Sequence, residues 1–149
     1  MKIIRNILRI FLPLILGSIV GLIIQNSMDY TSLNQPPLSP SPFAFPIAWT
    51  LLYLLMGISY NLYRKENQNP QTIFLYYLQL GFNLLWSIFF FTLKWRGFSV
   101  EWILLLDVLI ILLIKRLYQE KKVSAFLLFP YLIWCLFATY LNIGIYWLN

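Results

Sequence analysis

Three indoles and three amides, set at helical intervals, are the residues whose types and spacing could do chemistry here. In one run Trp49 and Tyr53 stand on a side shared with Phe45, Met56 and Tyr60. In a second, Tyr76, Gln79, Asn83, Trp86 and Phe90 recur every third or fourth residue, which places them on one helix face. In a third, Tyr131, Trp134, Ala138 and Asn142 repeat the pattern. Flat rings stack on flat apolar molecules, at about 0.5–1.5 kcal/mol per aromatic pair beyond the area buried. Amide and indole N–H groups can then orient a ligand's polar edge. This is the chemistry of recognition. The chain shows no nucleophile beside a base and no metal constellation, so no catalytic residue is assigned. Histidine is absent, and Cys135 is the single cysteine. An intrachain disulfide is thereby excluded, and no zinc site, other metal or cofactor is expected.

Two amides in hydrocarbon are costly unless bonded, so the Gln79/Asn83 face must point inward. It could be glue between helices or the wall of a cavity offering amide donors. Asp107, inside EWILLLDVLIILLIK, poses the same question. A carboxylate within a membrane span costs about 2.5–3.5 kcal/mol on insertion scales and should face the bundle or a wet pocket. No span carries an obvious Lys or Arg partner for it. It is either protonated, bonded to Asn or Trp groups, or in contact with ligand.

The elements that must position these groups follow from composition. Of 149 residues, 60% are hydrophobic and only 11% charged, which no ordinary soluble domain combines. Five apolar runs approach the roughly 20 residues a bilayer crossing takes. They predict helices over about 7–26, 43–64, 72–93, 100–118 and 124–147. Lipid gives backbone groups no water, so the fold class is an all-α polytopic membrane protein, a single bundle of five transmembrane helices. The first run follows Lys2, Arg5 and Arg9 like a signal peptide, but it is long and shows no convincing cleavage site, so it counts as a helix. An N-terminus in the cytoplasm puts nine of the eleven Lys and Arg residues inside and only Lys94 and Arg96 outside. Short basic clusters of this kind report topology and contact with membrane lipid; nucleic acid is not an expected partner. Pro13, Gly17 and Gly21 give the first helix a small-residue stripe, read mainly as bundle packing and secondarily as a homodimer seam. Pro130 should kink the last helix.

The loop at 27–42 is expected to be ordered. Pro36, Pro37, Pro40 and Pro42, followed by Pro46, hold five of the eight prolines. Each proline fixes its own φ and restricts its predecessor. A stiff loop beside a membrane helix can roof a pocket, with Tyr30, Leu33, Pro36, Leu38 and Pro40 as the lid residues.

The segments PP…FAFPIAWTLLYLLMG, YYLQLGFNLLWSIFFF and LLFPYLIWCLFATYLN, in that order, resemble the TspO/MBR family of tryptophan-rich sensory and translocator proteins. The resemblance runs from about Tyr30 to the C-terminus. It implies a five-helix bundle, often dimeric, that binds porphyrins, sterols or benzodiazepine-type drugs below the loop between helices 1 and 2. Trp49, Asn83, Trp86, Trp134 and Ala138 match family pocket positions, and Asp107 matches a commonly acidic one. With Tyr53 and Phe90 from the helix faces, these form the expected ligand-binding set. The loop departs from the family pattern. Asp29, Tyr30, Leu33, Gln35, Pro36, Leu38, Pro40 and Ser41 stand where two further aromatics and a lysine are common. The cholesterol-recognition pattern is absent, because no cation follows Tyr146.

The expected function is therefore a membrane binding or sensory protein for flat hydrophobic ligands, chiefly tetrapyrroles such as protoporphyrin IX. Without histidine, metal-free porphyrin is favoured over haem. A porphyrin-degrading enzyme driven by light and oxygen, a porphyrin or sterol transporter, and a helix-packing scaffold are the alternatives. A bacterial cytoplasmic membrane is the expected location, with an organelle's outer membrane as the other.

Overall fold

In the computed structural model, which describes Met1–Asn149, every long apolar run is helical and there is no strand. The helices are α1 (Lys2–Ile24), α2 (Ala44–Glu66), α3 (Pro70–Ser87), α4 (Arg96–Glu120), α5 (Lys122–Leu127) and α6 (Phe129–Leu148). A π-helical turn over Ile88–Thr92 continues α3, and α5 and α6 form one broken rod. Five helical units are thus long and apolar enough to cross a membrane.

Local chemistry sets several ends. The Asn69 side chain accepts from the Gln71 N–H at 3.0 Å, and Pro70 opens α3, where its missing N–H costs nothing. Arg64 and Lys65 occupy the last turn of α2, at the favourable negative end of its dipole. The break between α5 and α6 falls at Leu128, just ahead of Pro130, which cannot donate to the preceding turn. Helix α1 begins at Lys2, so its basic first turns are helical too.

The helices close into a ring. Helix α1 packs on α2, α2 on the α5/α6 rod, the rod on α4, α4 on α3, and α3 touches α1. Gly57 permits the α1–α2 crossing, because a Cβ there would run into the Ile10 carbonyl. Ser59 and Ser124 fasten α2 to α5 reciprocally, each hydroxyl donating to the other residue's carbonyl at 2.7 and 2.8 Å. Glu120 accepts from the Tyr63 and Thr72 hydroxyls at 2.7 and 2.6 Å, tying α4 to α2 and α3. Tyr60 and Tyr63 are buried here instead of sitting in an interface belt, since this network and the Tyr60–Tyr76 stack at 4.0 Å consume them.

Packing is uneven along the bundle axis. Toward the basic end, Met56, Tyr63, Ile110, Leu113, Leu128 and Tyr131 form a solid core. Toward the end that carries the 25–43 loop, the core gives way to a hollow.

Candidate functional site

The hollow is a cavity of about 320 Å³ between α1, α2, the end of α3 and α6. Each helix contributes the residues its register turns inward. Helix α2 supplies Phe45, Trp49 and Tyr53; α3 and its π turn supply Trp86, Phe90 and Phe91; α6 supplies Trp134, Ala138 and Asn142. The π turn adds a residue to the α3 register, with the Leu93 N–H bonded to the Ile88 carbonyl at 3.0 Å. This leaves Trp86 and Phe90 stacked at 5.3 Å on the cavity side. Helix α1 gives an aliphatic wall that includes Leu14, Val20 and Ile24. Ser18 and Gly21 line the cavity and are also exposed, so it opens to the bundle surface along α1.

The aromatic walls are mutually ordered. Trp49 stacks on Tyr53 at 5.5 Å and meets Trp134 edge-on at 6.5 Å. Phe45 meets Trp134 edge-on at 6.0 Å and Tyr30 at 4.9 Å. Such T-shaped contacts set the positive edge of one ring against the negative face of the next. The Trp86 indole N–H donates to Asn142 Oδ1 at 2.8 Å, and the Asn142 amide donates to the Arg96 carbonyl at 3.3 Å. The Trp134 indole nitrogen is buried and has no acceptor.

Below the cavity runs a directional chain of hydrogen bonds. The Tyr53 hydroxyl donates to Asn83 Oδ1 at 2.7 Å, and Asn83 Nδ2 donates to the Tyr131 oxygen at 2.9 Å. The Tyr131 hydroxyl donates to Gln79 Oε1 at 2.8 Å, and Gln79 Nε2 donates to the Tyr76 carbonyl at 2.9 Å. All of it is buried. Both amides thus bond side chains from other helices, and neither lines the cavity.

The loop above is braced at many points. The Tyr30 hydroxyl donates to the Pro40 carbonyl at 2.9 Å, Gln35 Nε2 to the Tyr30 carbonyl at 2.7 Å, and Ser39 to the Pro36 carbonyl at 2.7 Å. Burial raises the Tyr30 phenol above its ordinary pKa, with the Ser39 hydroxyl acting in the opposite sense. The Tyr140 hydroxyl donates to the Pro37 carbonyl at 2.5 Å, and Pro36 sits against Gly144 of α6. Asn149 Nδ2 donates to the Asn34 carbonyl at 2.9 Å. Asp29 pairs with Arg96 at 2.6 Å and with Lys94 at 3.7 Å, clasping the loop to the start of α4.

Of the residues expected to bind ligand, Trp49, Tyr53, Trp86, Phe90, Trp134 and Ala138 line this one cavity together. Asn83 and Asp107 do not. Asn83 lies beneath, inside the hydrogen-bonded chain. Asp107 lies between α4 and α6, where its Oδ2 accepts from the Thr139 hydroxyl at 2.5 Å; its other oxygen has no partner, and α4 contributes nothing to the cavity. Among the expected lid residues only Tyr30 reaches the cavity. Leu33 packs over Tyr30, Phe90 and Ile145, Pro36 and Pro40 act as braces, and Leu38, at φ 68°, is exposed. Gly17 and Gly21 serve the interior: Gly17 seats the Tyr53 ring, and Gly21 leaves open space on the cavity's rim. Met28 and the α1 wall were missing from the expected set. An aliphatic run has no residue type to mark its inward face, and only the glycine spacing hinted at it.

The TspO/MBR family model matches residues 9–148. The chain is 41% identical to the tryptophan-rich protein TspO of Archaeoglobus fulgidus over 80% of this chain and 79% of that protein. It is 30% identical to the tryptophan-rich sensory protein of Cereibacter sphaeroides, over 82% and 77% of the two chains. It is also 30% identical to the Homo sapiens translocator protein, over 76% and 70%.

Proposed function

Because the chain belongs to the TspO/MBR family of integral membrane proteins, we propose that its cavity receives a flat hydrophobic molecule, foremost a metal-free tetrapyrrole such as protoporphyrin IX. The observation that carries this reading is the convergence of Trp49, Trp86 and Trp134, from three different helices, on one hollow beneath a braced loop. The volume is at the small end of the roughly 300–1,000 Å³ of ligand pockets. A large ring would therefore enter by one edge and extend through the opening along α1. That opening faces the direction from which a membrane-dissolved ligand arrives. The unpartnered Trp134 N–H, whose burial costs about 1–3 kcal/mol, is a donor that a ligand carbonyl or carboxylate would satisfy.

The proposed orientation keeps the N-terminus in the cytoplasm and the loop outside, since nine of the eleven Lys and Arg then lie inside. The proposed home is a bacterial cytoplasmic membrane. For a homodimer seam on α1 only Gly21 of the glycine pair is free, because Gly17 seats the Tyr53 ring while Gly21 is exposed on the cavity's rim.

The test is a titration of tryptophan fluorescence in purified protein with porphyrins, bile pigments and sterols. Protoporphyrin IX should quench saturably, and Trp134→Ala and Trp49→Ala should weaken it while the fold survives. Unchanged curves for both variants would remove these residues from the site. The pigment spectrum under light distinguishes the alternatives: a reversible, stoichiometric change means binding, and new protein-dependent product bands mean chemistry. Flux into proteoliposomes that depends on the same tryptophans would mean transport.

A further inference from the structure

At the opposite end of the bundle, the start of α1 and the end of α2 enclose a second cleft, of about 420 Å³. Its lining is Lys2, Arg5, Asn6, Arg9, Arg64, Lys65 and Gln68, with no hydrophobic residue and no carboxylate. Nearby acids are committed elsewhere. Glu66 pairs with Lys121 at 2.8 Å, and both Glu120 oxygens accept from Tyr63 and Thr72. Five cations therefore face one another without a counter-charge, and Arg9 is repelled by both Arg5 and Arg64.

Two further observations separate this cleft from an ordinary solvated basic patch. Lys2 and Arg5 sit in the first turns of α1, at the positive end of the helix dipole, and no acidic residue offsets them there. That is the wrong end for cations, and it is where an anion is stabilised. Arg64 is held in place, donating from Nη1 to the Tyr60 hydroxyl at 2.9 Å with its guanidinium 5.8 Å from that ring's centre. Yet its Nε is buried without an acceptor. Beside the cleft, Ile3, Ile4, Ile7 and Leu8 of α1 are exposed and form an apolar flank.

We propose that this cleft binds a phosphate-bearing anion, and that its occupant is the headgroup of an anionic phospholipid whose chains lie along the α1 flank. The guanidinium fork geometry suits phosphate oxygens, and the apolar flank supplies what a free ion would not use. This site is independent of the aromatic cavity and stands whether or not that cavity binds pigment.

The test uses the full chain in uncharged detergent, titrated with dioctanoyl phosphatidylglycerol, dioctanoyl phosphatidylcholine or inorganic phosphate. Binding is read by calorimetry and by the thermal unfolding midpoint. Phosphatidylglycerol should bind saturably and raise the midpoint, and phosphatidylcholine should bind far more weakly. Arg5→Gln with Arg9→Gln should weaken phosphatidylglycerol by roughly 30-fold, at the usual worth of two basic residues near an anionic surface. Neither arginine's side chain makes a hydrogen bond in the fold, so this variant should still assemble. Lys115→Gln with Lys122→Gln removes the same charge from the same end, outside the cleft, and should cost less than about threefold. Equal losses in the two variants would mean general surface attraction and overturn the site. Equal binding of phosphatidylcholine would overturn it as well. Inorganic phosphate binding as tightly as phosphatidylglycerol would overturn the lipid as occupant.

Discussion

Ala138→Leu separates a real hollow from a packing illusion by the sign of its effect on stability. Ala138 is only 6% exposed and lines the cavity from α6, so a longer side chain there has no route to lipid and must project into the space. Lipid tails are as apolar as leucine, so transfer out of water contributes nothing and only packing counts. Leucine adds roughly 70 Å³, which at about 24 cal/mol per Å³ of filled void amounts to about 1.7 kcal/mol as an upper bound. In a close-packed interior the same change would instead cost about 1–3 kcal/mol through displaced neighbours. A cavity of about 320 Å³ absorbs the addition easily, so stability should hold or rise. Ligand space shrinks at the same time, and protoporphyrin affinity should fall at least about tenfold, or about 1.4 kcal/mol. The assay pairs denaturant unfolding in detergent micelles with the fluorescence titration. A destabilised variant that still takes up pigment like the wild type would refute the reasoning.

Gly57→Ala should fail to assemble or lose more than about 3 kcal/mol, because its Cβ collides with the rigid Ile10 backbone; thermal unfolding in detergent checks this. Asn83→Leu removes bonds to both Tyr53 and Tyr131, and at about 0.6–1.7 kcal/mol for each bond in a membrane it should cost about 1–3 kcal/mol. That loss is to be read from unfolding curves; an effect on ligand affinity at unchanged stability would instead make Asn83 a ligand contact. Arg96→Gln breaks the Asp29 clasp, whose two side chains are only 15% and 24% exposed, so global stability should drop by about 1.5–3 kcal/mol, the usual worth of a hydrogen bond to a charged group. Hydrogen exchange of the 29–40 amides should quicken in that variant, and unchanged exchange would show that the other braces suffice.

How much could be seen in the sequence follows which residues carry a face. The inward face of α3 was legible, because tyrosine, amides and tryptophan at spacings of three and four cannot all point at lipid. The aromatic half of the cavity followed from the same rule on α2 and α6. The role of Asn83 was not legible. Spacing shows that an amide faces inward, but not whether a tyrosine from another helix has already taken its donors. Asp107 is the same case, since its partner Thr139 lies on another helix. The α1 wall was hidden because leucine, isoleucine and valine look alike on every face. The π turn after Ser87 had no signal either, for the SIFFF run contains neither proline nor glycine to mark it. The prolines marked the extent of the loop, but Leu38 in the left-handed region and facing outward was not readable from them.

Greasy surfaces do not tell neighbouring rods apart when the surrounding medium is equally greasy. The linked run from Tyr53 through Asn83 and Tyr131 to Gln79 works as an address label, since only one rotation and one depth of three segments lets every donor meet its acceptor. A rod that slid by one turn would strand several polar atoms in oil. The outward faces are therefore free to drift among apolar residues, while this short core string keeps the assembly from settling into a rival arrangement.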